Sequence, residues 1–240
     1  MPQSSDNSLD EQIREHERLG FRLEMIFPAD DPSEARMSRG LDLIVLTSGP
    51  GSDKPKNGQL ADDWVRGRAG MEYRDLIPDR LGGKVIASHI RLTEGGEVPD
   101  YVHYHKIAFQ VIYCLKGRIR VVYEDQGEPF WLEAGDLVLQ PPEIRHRVLE
   151  CTAGAEVIEI TSPAEHETRV EHDMDLPNRA VDPDRLFGGC RFFRHRAGRR
   201  DGSHTTELRL VELAEDLSRA DSNDERVDVV TTFSRTLCQT

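Results

Sequence analysis

No stretch of this 240-residue chain approaches the roughly 20 consecutive apolar residues that cross a bilayer as a helix. The opening residues, MPQSSDNSLDEQIREHE, are polar and acidic and lack the charged-then-apolar layout of a secretory signal, so a cytoplasmic location and no membrane partner are expected. Positive charge is also in deficit: the formal net charge is −13, which would repel a phosphate backbone and argues against a nucleic-acid partner. Cysteine pairs are missing too. Cys114, Cys151, Cys190 and Cys238 are far apart with no CxxC, which excludes a cysteine zinc site and reads as reduced thiols rather than a disulfide framework. There is no phosphate-binding loop, no Gly-x-Ser-x-Gly and no HExxH. What remains is a charged, globular chain whose 37% hydrophobic content suffices for a packed core.

The pattern along the chain is mostly that of short strands. Residues 9–19 (LDEQIREHERL) are expected to form a helix capped within Asp6 to Ser8. Residues 28–40 are turn-rich and polar, LDLIVL at 41–46 has the length of a strand, and 47–59 are a Gly- and Pro-rich loop. From Trp64 to Thr161, apolar runs alternate with Gly and Pro turns: KVIASHIRL (84–92), IAFQVIYCL (107–115), RIRVVYE (118–124), PFWLE (129–133), DLVLQ (136–140) and EVIEITSP (156–163). Strands at this spacing predict an all-β sandwich or barrel rather than βαβ units. The tail from Ala164 is charged and poor in extended runs. VRGRAG (65–70) echoes in FRHRAG (193–198), either as a degenerate second repeat or as chance similarity of two arginine-rich strands.

His103-Tyr104-His105 is the sharpest local signal. Residues i and i+2 of a strand share a face, so both imidazoles can reach one point, and imidazole is a general nitrogen ligand for transition metals. Gly95-Gly96 makes a turn before the pair. Gln110 follows His105 after four residues and Gly117 follows after six more. Then come Gly135, five residues, Pro141, one residue, Glu143, two residues and His146. Over residues 84–162 this arrangement resembles the two motifs of the cupin superfamily.

The resemblance implies an all-β cupin jelly-roll β-barrel with N-terminal and C-terminal extensions. The arm and first strand would occupy 1–60, the barrel 61–163 and the extension 164–240, the last carrying the suspected second cupin repeat. It implies one divalent transition metal (iron, manganese, nickel or zinc) on His103, His105, Gln110 and His146. Two departures bear on chemistry. Glu143 stands where the family has Gly. Gln110 stands where the family has Glu, so the metal would keep its full charge and a titratable carboxylate is lost. Gln110 either ligates or hydrogen-bonds in the wall.

Three function classes follow. The first is a metal-dependent oxidoreductase of dioxygenase-like type, binding a small-molecule substrate such as an enolate or catecholate. The second is a non-redox isomerase, lyase or polyketide-cyclase-like cupin using zinc. The third is a metabolite-binding module without catalysis. Cupin barrels form dimers in their family, and the terminal segments offer strands for exchange, so a homodimer is expected. His89 could enter the barrel or lie exposed beside Arg91, and Tyr113, alternating with Val111, could face the cavity. Tyr104 and Tyr123 read as packing, Cys114 as a small buried hydrophobe, and His16, His166, His172, His195 and His204 as surface residues.

Overall fold

A computed structural model describes residues 8–48, 64–66, 71–77 and 80–198, together with 212, 215–217, 219, 222 and 225. The first helix, α1 (Leu9–Arg18), begins with a capping box: the Glu11 amide donates to the Ser8 hydroxyl and the Ser8 amide to the Glu11 carboxylate. Asp6 lies outside the described residues, as do residues 49–59 of the expected 47–59 loop, Cys238, His204 and residues 67–70 of the first arginine-rich echo.

Strands follow almost without interruption. They are β1 (Arg22–Phe27), β2 (Glu34–Arg39), β3 (Asp42–Thr47), β4 (Val65–Arg66) and β5 (Glu72–Asp75), then a distorted turn α2 (Arg80–Gly83). Next come β6 (Ile86–Leu92), β7 (Gly96–Glu97), β8 (His103–His105), β9 (Phe109–Lys116), β10 (Arg118–Tyr123) and β11 (Phe130–Glu133). The series continues with β12 (Leu137–Gln140), β13 (His146–Cys151), β14 (Ala155–Ser162) and β15 (Thr168–Val170). It ends with β16 (Leu186–Phe187), β17 (Cys190–Arg191) and β18 (Phe193–His195). The expected strands therefore form with ends shifted by one or two residues. Residues 28–40 are corrected: β2 runs through them, because Ala35 and Met37 alternate with charged residues and bury against β1 and α1.

Two antiparallel sheets carry the architecture. The first has the order β11-β10-β13-β8-β15-β1-β2-β3, with β7 also on β13; the second has the order β18-β12-β9-β14-β6-β5-β4. Their inner faces share one core, in which Ile119, Val121 and Cys151 of the first sheet meet Ile112, Val138 and Val157 of the second. The two sheets face each other as a sandwich, the all-β arrangement expected from the sequence. The outer face of the second sheet is buried as well, where Val111, Ile158 and Ile160 pack under Leu76, Ile77 and Leu217.

The extension is woven into these sheets. β15 inserts between β8 and β1, and β18 pairs with β12. The two echoing segments thus supply β4 and β18, the opposite edge strands of one sheet.

Candidate metal centre

Strand register brings the histidines together. His146 of β13 lies directly opposite His103 of β8 and, on its other side, opposite Tyr123 of β10. Directly paired residues share a face, which puts the His103 and His146 ring centroids 4.3 Å apart, and His105, two residues along, is 5.1 Å from each. All three side chains are buried, His103 to 1% exposure, and one nitrogen of each lies within 4.8 Å of the others. Among the described residues this is the one cluster of His, Cys, Asp or Glu able to hold a metal ion.

The hydrogen bonds behind the rings fix their chemistry. His103 Nδ1 donates to the Tyr101 carbonyl at 2.8 Å and His146 Nδ1 to the Ile144 carbonyl at 3.0 Å. A carbonyl only accepts, so Nδ1 carries the proton and Nε2 the lone pair. His105 Nδ1 shares a 2.8 Å hydrogen bond with the Thr168 hydroxyl, its direct partner across β8 and β15. The buried Asp100 carboxylate stands 3.6 Å behind His103 Nδ1 and accepts from the Val148 amide. Oxygen acceptors behind each imidazole orient the ring and raise its basicity, as metal-binding histidines require. The donor set fits a divalent transition metal.

Oxygen-bearing groups face the histidines from the second sheet. Gln110 of β9 is 2% exposed and lies opposite Gln140 of β12 and Thr161 of β14. The Tyr123 hydroxyl donates to Gln140 Oε1 at 2.6 Å, and Gln140 Nε2 donates to Gln110 Oε1 at 2.7 Å. Gln140 Nε2 also lies 3.4 Å from His146 Nε2. The Gln110 carbonyl has a second lone pair beyond the one Gln140 uses.

These groups open onto a cavity of about 610 Å³ between the sheets, open solvent at its mouth included. Its wall is largely apolar, with Ile90, Leu92, Ile112, Val121, Val148 and Val157. Glu159 of β14 also lines it. Burial, reinforced by the Glu159 charge, holds the Tyr123 phenol well above its ordinary pKa.

Several expectations change. Tyr113 packs with Val111 on the outer face, because the inward positions of β9 are Gln110 and Ile112. His89 is also outward but mostly covered: its Nε2 lies 2.9 Å from Glu156, its Nδ1 3.2 Å from Arg74, and its ring packs edge-on against Trp64. His166 is buried rather than on the surface, 5.3 Å edge-on from His105, and burial pushes its pKa down. Cys114, by contrast, is the buried small residue expected, and burial pushes its thiol up to about 12, the behaviour of an inert core residue. Glu143 adopts φ 60°, the left-handed conformation for which Gly is favoured. Its amide donates to the His105 carbonyl, and its carboxylate accepts from Lys106 at 2.6 Å.

Sequence reasoning missed Glu159, Gln140, Thr168 and the cavity-facing role of Tyr123. A usable signal existed: an inward Gln110 fixes the phase of β9 and, through pairing, that of β14.

Residues 88–161 match the family model described as Cupin domain. Among solved structures, an RmlC-like cupin from Shewanella frigidimarina is 26% identical over 49% of this chain and 93% of its own, with a TM-score of 0.36. Oxalate decarboxylase from Bacillus subtilis, solved at pH 4.6, is 22% identical over 48% of this chain, with a TM-score of 0.35. Another structure of that enzyme, studied for its Mn(II) centres, is 20% identical over 48%, with a TM-score of 0.36. These matches span less than a third of the decarboxylase chain, 30% and 31%. No curated protein matches. The matched segment, a cupin domain, holds the three histidines, Gln110, Gln140 and Glu159.

Proposed function

We propose that this chain is a metal-dependent cupin enzyme in which His103, His105 and His146 hold one divalent transition metal, with Gln110 as fourth ligand. The observation that carries the reading is the convergence of three buried imidazoles at an apolar cavity, two of them with Nδ1 committed to a backbone carbonyl. When bound, the metal supplies a Lewis acid with positions left for a substrate oxygen, and, if it is iron, manganese or nickel, access to redox chemistry. The reaction we infer is dioxygenase-like oxidation of a small organic substrate that coordinates the metal through an oxygen.

The protein's own groups orient and shelter that substrate. The apolar wall excludes water around its body. The Tyr123–Gln140–Gln110 chain of hydrogen bonds fixes which atoms of the amides face the centre. Elemental analysis of native protein, followed by oxygen-uptake assays over a panel of enols and catechols, tests the proposal. A redox metal near one per chain with substrate-dependent oxygen uptake is expected; absence of bound metal sinks it.

A non-redox isomerase or lyase is the second reading, favoured by Glu159, a carboxylate in the cavity able to accept a proton. Zinc alone and turnover without oxygen would select it. A homodimer remains part of the proposal. β3 stands at the edge of the first sheet and exposes Leu43 and Val45, next to Leu41, as a self-complementary apolar row. Sedimentation as a monomer at micromolar concentration would exclude it.

A further inference from the structure

The polar row beside the histidines ends on an unused group. Across the inner face of the second sheet, Gln140 of β12 lies opposite Gln110 of β9, and Gln110 lies opposite Thr161 of β14. Thr161 faces inward because it alternates with Val157 and Glu159, both on the cavity wall. Hydrogen bonds join Tyr123, Gln140 and Gln110 in turn, but none reaches Thr161. Thr161 is 0% exposed, and its hydroxyl has no hydrogen-bond partner among the described residues. Its other neighbour across the sheet, Ile86, is apolar. A buried hydroxyl gives up water on folding and is seldom left unpaired, so an idle one beside a candidate ligand calls for a role.

Directly opposed residues of an antiparallel pair hold their Cβ atoms about 5 Å apart, which puts the Thr161 hydroxyl within reach of the Gln110 amide. That amide has two ends on one carbon. Its oxygen accepts from Gln140 on one side of the row, and Thr161 stands on the other side. A carbonyl that gives its second lone pair to a cation loses electron density, and the NH2 group attached to it becomes a stronger donor. Thr161 Oγ1 carries two lone pairs and can accept from it.

We propose that Thr161 is a positioning residue for Gln110: its hydroxyl accepts a hydrogen bond from Gln110 Nε2 when the amide presents its oxygen to the metal, and is idle when the metal is absent. This rests on the metal-enzyme reading above, with Gln110 as fourth ligand, and adds the group that holds this ligand in its binding orientation. The two states differ in what they ask of Thr161. Removing the hydroxyl takes nothing from the metal-free fold and weakens only the metal-bound one.

The test uses the full chain, stripped of metal by a chelator and titrated with cobalt. Thr161→Val keeps the side-chain shape without the hydroxyl, and Thr161→Ser keeps the hydroxyl. Thr161→Val is expected to weaken cobalt affinity about tenfold and to shift the visible absorption spectrum, whereas Thr161→Ser should keep both. Metal-free Thr161→Val should melt at or above wild type, since it loses a buried group that has no partner. In a Gln110→Ala background, Thr161→Val should have no further effect on cobalt affinity, because the hydroxyl acts only through Gln110. Wild-type affinity and spectrum in Thr161→Val overturn the proposal. An equal loss in the Gln110→Ala background overturns it too, by marking a merely structural role. If Thr161→Val does not fold, Thr161→Ala takes its place in the same titrations. Gln110→Ala with wild-type affinity and spectrum removes the fourth ligand and this proposal while the three histidines stand. A chain that binds neither cobalt nor zinc overturns the underlying reading and this one with it.

Discussion

The two sheets contribute differently to the centre. The first sheet supplies nitrogen: His103, His105 and His146, each anchored from behind by an oxygen acceptor on or beside its own strands. The second supplies oxygen: Gln110, Gln140 and Glu159, of which the two amides are hydrogen-bonded to each other and to Tyr123 across the gap. Apart from the Gln140 amide 3.4 Å from His146 Nε2, the hydrogen bonds that hold the imidazoles come from the side of the first sheet. This division teaches that metal retention and selectivity are separable: the first sheet should govern whether an ion stays, the second what it can do.

The largest effect expected of this division is on the first sheet. His105→Ala or His146→Ala should reduce bound metal from about one ion per chain to near zero and lower turnover by about a hundredfold or more. Plasma emission analysis of dialysed protein reads the first and an activity assay the second. Full metal content in either variant would break the comparison at its base.

The second sheet should behave otherwise. Gln140→Leu removes the donor that orients Gln110 and leaves Tyr123 without its acceptor, so metal affinity should weaken roughly ten- to hundredfold without vanishing. With cobalt in the site, Gln140→Leu and Gln110→Ala should both alter the visible absorption spectrum, whereas the histidine variants should abolish it. A spectrum identical to wild type in Gln110→Ala would show that Gln110 stays in the wall and does not ligate.

A smaller effect belongs to the support behind the first sheet. Thr168→Val keeps the shape of the side chain but removes the oxygen that holds His105 Nδ1. Metal affinity should fall about tenfold, measured by competition with a coloured chelator. An unchanged affinity would mean that packing against His166, not the hydrogen bond, holds the ring.

Much of this centre was legible in the sequence because the information is local. His103 and His105 share a face by strand geometry alone, and the Gly and Pro turns that frame β9 to β12 are written in residue types. What was not legible depends on which face of a strand looks inward. β9 and β14 are buried on both faces, so their apolar runs show no polar side by which to set the phase. The facing of Tyr113 therefore stayed open between packing and the cavity, and Glu159 passed unnoticed. Thr168 lies in a charged tail with no apolar pattern, and its role exists only because β15 inserts beside β8. β2 was hidden for a related reason, since Ala35 and Met37 are too few to stand out among charges.

The smallest expected effect concerns a histidine on the other sheet. His89 of β6 points outward, with Glu156 of β14, Arg74 of β5 and Arg91 of its own strand around it and the Trp64 ring against it. Burial pushes its pKa down, and the two arginines add to this, against the upward pull of Glu156. A histidine whose folded pKa lies below its unfolded value near 6.5 favours the fold when neutral. Its contribution is complete above that pH and is lost as pH falls from there through the folded value. His89→Gln should therefore flatten the stability curve between about pH 7.5 and about pH 5.5, measured by urea unfolding, and leave metal content untouched. Loss of metal in this variant would mean that the outer face of the second sheet is coupled to the centre, and that the separation of nitrogen from oxygen between the sheets is incomplete.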